Sequence, residues 1–324
     1  LDKDLTVLVT GATGNQGNAT ARRLLADGFQ VRAMTHQTHS PLAALLSAAG
    51  AEIIYGTLDD PALIYQALDG VGAVFAVVDA RHAHVLREEE RGKRLAYLAK
   101  EQGIDQYVYS SVASAQEGSG VPQFEVKGRI EQTIRDLKFN SYTFLRGTFL
   151  METLFDTTIF PEIVSGKIVS PINPDVRLQL VSADDVAKFA LYSFANPDLM
   201  NGVELDLAGD EHTFVEMAQV LSNALKSEIE YSAIDFDEYF RIRGIPNNLR
   251  HNLKRIGEFW EMAGWDIDIG GLMLDSRKVG IDMTTLNEWA NDIAPVFGTL
   301  IGQPHKIKTT VPSEGAPLVR PHLV

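Results

Sequence analysis

The sequence predicts an α/β protein: a doubly wound parallel sheet followed by a smaller α/β unit. Three observations carry that prediction. Over the first 150 residues, short β-branched runs alternate with longer amphipathic stretches. The short runs are continuously apolar, as strands covered on both faces require. A glycine-rich segment, Gly11-Ala-Thr-Gly14-Asn-Gln-Gly17, separates the first run from the first helix.

The elements follow in order. Residues 5–10 form an apolar strand running into the glycines, and residues 15–28 a helix closed by Gly28. Residues 30–35 are a second strand, 41–49 a short helix before Gly50, 52–55 a third strand and 61–68 a helix before Gly70. Residues 73–77 are a fourth strand, 84–102 a long helix before Gly103, 106–110 a fifth strand, 124–137 a helix and 141–145 a sixth strand. Beyond residue 150 the alternation loosens. A helix is expected over 150–163, then turn material around Gly166 and from Pro171 to Pro174. Ser182 precedes a helix whose early acids, Asp184 and Asp185, suit its positive end. A strand at 204–207, a helix over 213–225, a strand near 231–234, helical pieces from 235 to 265 and a helix over 284–293 complete the folded part. The division is therefore 1–150 for a nucleotide-binding unit and 151–295 for a smaller substrate or partner unit interleaved with the sheet. Residues 296–324, with four prolines and no period, read as an extended or disordered arm.

Composition narrows the function. The 324 residues are 45% hydrophobic and include no cysteine, which excludes disulfides, thiolate metal sites and cysteine nucleophiles. The net charge of −14 divides into −2 over residues 1–150 and −12 over 151–324. Neither half offers a basic stripe, so nucleic acid is not the expected partner. No apolar run approaches the roughly 20 residues that span a bilayer. The opening Leu1-Asp-Lys-Asp has neither a basic region nor an apolar stretch, so the expectation is a cytoplasmic protein that does not enter a membrane.

The glycine segment lies where strand–turn–helix units of the Rossmann type bind a pyrophosphate. Glycines allow the tight turn and close backbone approach, and the helix N-terminus presents free N–H groups. Gly11, Thr13, Gly14, Asn15, Gln16 and Gly17 are thus the expected cofactor-binding residues. The end of the second strand, Val31-Arg-Ala-Met-Thr35-His36, has no acid to take ribose hydroxyls, which leans towards NADP and leaves NAD open. His36 stands where an arginine would serve a 2′-phosphate, and Arg32 lies within the strand. Asp59 has two open roles: bonding the adenine amine, or capping the helix that begins at Pro61. Val78 and Asp79 follow the fourth strand and are expected to pass the cofactor.

The Gly11–Gly17 loop, Gly56-Thr-Leu-Asp-Asp60, Tyr109-Ser-Ser111 and Lys127 together resemble an atypical short-chain dehydrogenase/reductase. Within that group the chain is similar to NmrA-like proteins, supported by Arg146-Gly-Thr-Phe-Leu-Met-Glu152, Asp184-Asp-Val-Ala187 and Gly264-Trp-Asp-Ile-Asp268. The resemblance runs from about residue 5 to 295. It implies either hydride transfer from NAD(P)H to a medium-sized aromatic, quinone or carbonyl substrate, or a catalytically silent dinucleotide sensor that regulates a protein partner. An oxygenase-type tailoring reaction on an aromatic metabolite is a third reading.

The short-chain pattern would place tyrosine four residues before Lys127, and position 123 is glutamine. The segment Phe124-Glu-Val-Lys127 instead resembles isoflavone-reductase-like proteins, in which the lysine alone assists proton transfer. Lys127, Ser110 and Ser111 are the catalytic candidates: the lysine as ribose clamp and proton donor, a serine to orient a carbonyl. Gln123, Phe124 and Phe149 are expected at the substrate pocket.

Other features have plainer readings. His82-Ala-His84 has chelating spacing but no partnering acids, so no metal is expected. Glu88-Glu-Glu90 followed by Arg91, Lys93 and Arg94 reads as a solvated helix face. Trp260, Trp265 and Trp289 read as core. Residues 151–324 are the candidate surface for a homodimer or a protein partner.

Overall fold

The computed structural model describes residues 5–78, 85–115 and 118–297. Asp79, His82 and His84 and nearly all of the expected C-terminal arm lie outside them.

The first half alternates as expected. Its elements are β1 (Thr6–Val9), α1 (Asn15–Ala26), β2 (Gln30–Thr35), α2 (Pro41–Ala48), β3 (Glu52–Tyr55), α3 (Pro61–Leu68), β4 (Ala73–Val77), α4 (Val85–Glu101), β5 (Gln106–Val112), α5 (Pro122–Leu137) and β6 (Ser141–Gly147). The second half contributes β7 (Phe149–Leu150), β8 (Lys167–Ser170), β9 (Arg177–Val181), α6 (Ala183–Ala195), α7 (Pro197–Met200), β10 (Val203–Leu207), β11 (Asp210–Thr213), α8 (Phe214–Leu225) and β12 (Glu230–Ala233). It ends with α9 (Phe236–Ile242), α10 (Asn247–Met262), α11 (Ile269–Lys278) and α12 (Leu286–Phe297).

Seven strands form one sheet in the order β10-β6-β5-β4-β1-β2-β3, and every pairing is parallel. The strand order reverses between β1 and β4, the switch point at which such sheets bind ligands. Successive side chains of a strand enter opposite layers. Val7 and Val9 pack with Leu24 of α1 and Phe189 of α6. Leu8 packs on the other face with Ile64 of α3, Leu95 of α4 and Ile130 of α5. The seventh strand comes from beyond residue 150, and α6 lies against α1, where the Arg23 guanidinium pairs with Asp184. The nucleotide-binding layer is therefore completed by residues 183–207.

Two expectations for the second half are corrected. Residues 150–163 do not form one helix. They make a short strand and two 3-10 helical turns, Met151–Phe155 and Pro161–Ser165. The Asp156 carboxylate accepts the Thr158 backbone N–H at 2.9 Å, which closes a local turn, and Pro161 has no N–H to continue a helix. The expected turn material after Gly166 contains strands: β8 pairs with β12, and β9 lies between β7 and β11. A third core forms there, with Phe149, Phe214, Trp265 and Trp289 buried, and Trp260 packs against it.

Candidate functional site

The site begins where β1 turns into α1. Gly11 has φ of +59°, which a side chain disfavours. A Cβ on Gly17 would fall 2.3 Å from the Gly11 carbonyl oxygen, so only glycine lets the helix start so close to the loop. Gly14 precedes α1 and no side chain caps it, so the first N–H groups of the helix remain available to an anion. Thr10 fixes the loop against β4: its Oγ1 donates to the Val77 carbonyl at 2.9 Å and accepts the Val77 N–H at 2.8 Å. Thr13 and Thr35 hydroxyls share a hydrogen bond of 2.8 Å and join the loop to the end of β2.

A single cavity of about 530 Å³ runs from this loop across the carboxyl ends of the strands. Gly11, Thr13, Gly14, Asn15, Gln16, Gly17, His36, Val78, Ser110, Ser111, Gln123 and Lys127 all line it. Arg32 faces elsewhere, bonding Glu52 at 2.7 Å and the carbonyls of Ala67 and Asp69.

Three expected residues are absent from the lining. Asp59 does not cap α3, since the carboxylate of Asp60 takes the N–H groups of Ala62 and Leu63. Asp59 instead grips Arg91 through both oxygens, at 2.9 and 2.6 Å, and this guanidinium holds its carboxyl below the usual range. Phe124 packs in the second-half core against Phe259 and Trp265, at ring-centroid distances of 5.3 and 6.0 Å. Phe149 packs there against Phe214 and Trp260. Both rings are buried because the turns and strands that replace the expected helix form a core beside them.

The two serines have different environments. Ser110 Oγ donates to Gln16 Oε1 at 2.5 Å and so braces the first turn of α1 against β5. Ser111 Oγ is buried at the cavity wall and has no hydrogen-bond partner among the described residues. Gln123 is latched by α10: its N–H donates to Asn252 Oδ1 at 3.0 Å, and Asn252 Nδ2 donates to its Oε1 at 3.2 Å.

Lys127 sits in a buried polar setting. Its Nζ lies 2.6 Å from Glu88 Oε1, donates at 3.4 Å to the Val78 carbonyl and stands 5.6 Å from the centre of the Tyr109 ring. The Glu88 side chain is 0% exposed and that of Lys127 12%. The helix face read as solvated is thus split. Glu89–Lys93 and Glu90–Arg94 form the expected surface pairs, whereas Glu88 is buried and Arg91 lines the cavity. One signal for Glu88 exists in the sequence: positions 88, 92, 95, 96 and 99 recur at helical spacing and form the buried stripe of α4. The sequence also did not point to Gly147, Thr148, Thr153, Asp156 and Ile159, which extend the cavity beyond Lys127. Their placement depends on the turns after β6. Among the described residues no cluster of metal-ligating side chains occurs, and no helix is long and apolar enough to cross a membrane.

The fold is a Rossmann-type α/β fold with one continuous cleft at the switch point of its sheet. The chain belongs to the NmrA-like family, whose model matches residues 3–290. It is 26% identical over 263 residues to an NmrA-like family domain-containing oxidoreductase, hkm9, of Aspergillus hancockii, covering 74% of this chain and 78% of that protein. It is 27% identical to the Photosystem II assembly factor Ycf39 of Cyanophora paradoxa over 61% of this chain, and spans 62% of that protein's length. The fold matches the crystal structure of NmrA, a negative transcriptional regulator, in complex with NADP, with a TM-score of 0.72 at 23% identity, covering 94% of this chain and 99% of that one.

Proposed function

We propose that this protein is an NAD(P)H-dependent oxidoreductase that reduces a medium-sized aromatic, quinone or carbonyl compound, with NADP as the leading cofactor and NAD open. The observation that carries this reading is the continuity of the cleft. The glycine loop, Ser111 and Lys127 share one cavity that continues past the lysine to Thr148, Thr153 and Ile159. A sensor needs only the first part of such a cleft, whereas a reductase needs space beside the nicotinamide for a second molecule.

The residues present fit a dinucleotide. The Gly11–Gly17 cradle has no room for a side chain at Gly17, and the start of α1 offers N–H groups to a pyrophosphate. The end of β2 holds no carboxylate to repel a 2′-phosphate. When bound, the reduced nicotinamide supplies the hydride. Lys127, ion-paired with Glu88 and donating to the Val78 carbonyl, has further N–H capacity for the ribose or the substrate oxygen. Ser111 Oγ, without a hydrogen-bond partner among the described residues, orients the substrate oxygen, while Ser110 is committed to Gln16. Lys127 is then the proton donor to the oxygen that becomes negative as hydride adds.

The related oxidoreductase of Aspergillus hancockii supports this reading. A second reading, a dinucleotide-binding regulator acting through residues 151–324, is favoured by Gln123. Where a short-chain enzyme would carry tyrosine, that residue is tied to Asn252. The test is NADPH oxidation over a panel of quinones and aromatic ketones, with Lys127→Ala in parallel. The reductase reading expects turnover of at least one acceptor and a kcat about a hundredfold lower in the variant, with a smaller loss of NADPH affinity. Tight binding of both redox forms without turnover of any acceptor would make the protein a sensor.

A further inference from the structure

The buried pair between Glu88 and Lys127 is built by close packing of two helices. A Cβ on Gly92 would lie 2.6 Å from Ile130 Cδ1, so α4 and α5 approach more closely there than side chains on both would permit. Glu88 lies one turn before Gly92, and Lys127 just under one turn before Ile130. The contact therefore sets the two charged groups against each other at the base of the cavity, 2.6 Å apart. A carboxylate with 0% exposure costs several kcal/mol to desolvate, and packing alone offers no reason to retain one. What it touches is the ammonium that lines the cleft.

We propose that Glu88 is a positioning residue that holds Lys127 as an ammonium, with one N–H directed to the cleft, and thereby sets the pH range over which the lysine can serve the cofactor and substrate. The idea rests on the oxidoreductase reading for its effect on turnover, but its effect on dinucleotide binding does not. The proton balance is simple. As hydride carries two electrons to the substrate carbon and the cofactor is oxidised, the substrate oxygen takes one proton from Lys127 Nζ. The neutral amine stays beside the Glu88 carboxylate and recovers its proton from solvent through the open cleft.

Among the described residues, the other charged and titratable groups around the lysine come from α4, α5, β5 and the cavity wall. Arg91 of α4 is held by Asp59. Glu131 of α5 is 0% exposed and pairs with Arg146 and Arg135. Tyr109 of β5 is neutral, because burial pushes its phenol well up and the nearby charges of Glu88 and Glu131 push it further. His36 and Asp156 line the same cavity. Among the described residues, Glu88 is the carboxylate in contact with the ammonium.

The test compares Glu88→Gln and Glu88→Asp with the unchanged protein across pH 6–10 (about two units to either side of neutral-to-alkaline working conditions), using two readouts: NADPH affinity by fluorescence titration, and kcat with any acceptor that the panel yields. Glu88→Gln is expected to lower kcat about tenfold or more at pH 8, to change the KM for NADPH by less than about threefold, and to move the alkaline loss of both readouts to lower pH by roughly one unit. Glu88→Asp, which keeps the charge, is expected to restore the alkaline limb. If both readouts of Glu88→Gln stay within about twofold of the unchanged protein at every pH, or if Glu88→Asp shows the same displaced limb, the inference is overturned. Should Glu88→Gln not fold, Glu88→Asp alone decides: an unshifted limb with kcat reduced about threefold or more supports the positioning role, and an unchanged kcat overturns it. If the unchanged protein binds NADPH but turns over no acceptor, the oxidoreductase reading fails, while the pH dependence of binding still tests Glu88.

Discussion

Glu152 shows how one half-buried side chain makes stability depend on pH. Its carboxylate accepts the Ala183 N–H through both oxygens, at 3.0 and 3.1 Å, and Trp289 Nε1 donates to it at 3.1 Å. Burial outweighs these donors and pushes the carboxyl up to about 7 from an ordinary 4.5. A carboxyl raised in the folded state favours its protonated form there. Its contribution is therefore fully present below the unfolded value and is lost as pH rises through about 7. The Glu152→Gln protein should lack that loss. Between pH 5 and 7.5 or so its stability relative to the unchanged protein should rise by on the order of 3 kcal/mol, measured by urea unfolding at each pH. Equal pH slopes for the two proteins would show that Glu152 does not titrate in this window. Glu152 also joins the cavity wall, through its neighbour Thr153, to α6 and α12.

At the scale of elements, the packing of α4 on α5 depends on Gly92. Replacement by valine places branched carbons where Ile130 now sits and is expected to cost about 1–3 kcal/mol, read as a lower urea midpoint with an unchanged slope. It should also lower kcat with any acceptor that is turned over, because Glu88 and Lys127 meet through that contact. An unaffected midpoint would mean that Ile130 moves aside freely. The strands β2, β3 and β4 were legible to the residue, because each is a short run rich in apolar residues between a glycine or a turn on either side. Helix α6 was legible from Ser182, which caps it, and α8 from its amphipathic period. Strands β8 and β9 were not, since they are four and five residues long, stand beside Gly166 and Pro174, and are stabilised by partners distant in sequence. The glycine cradle, both serines and Lys127 were legible as a site because strand–turn–helix geometry fixes where such residues point. Arg91 and the residues from Gly147 to Ile159 were not, because their place depends on how helices and turns pack. Phe124 and Phe149 illustrate the ambiguity: an aromatic residue beside a cleft reads the same in sequence whether it lines the cavity or packs behind it.

For the whole molecule, the boundary near residue 150 divides the sequence but not the sheet. β10 pairs with β6 along five residue positions, and α6 packs Ala183 and Ala187 against Ala19 of α1. A protein ended after residue 150 would expose the hydrogen-bonding edge of β6 and the apolar side of α1, and is expected to aggregate rather than bind NADPH. A fragment carried on to residue 213 restores both contacts and should be the more soluble of the two, as measured by sedimentation of the expressed material. Equal solubility would show that the first six strands suffice. The pairing of β6 with β10 also orders events during synthesis. The strand that finishes the sheet leaves the ribosome some sixty residues after its neighbour, which at roughly 5–20 residues per second leaves that edge uncovered for several seconds. A nascent chain of this design spends that interval with an open strand facing the cell, and its yield should follow how well chaperones shield that strand.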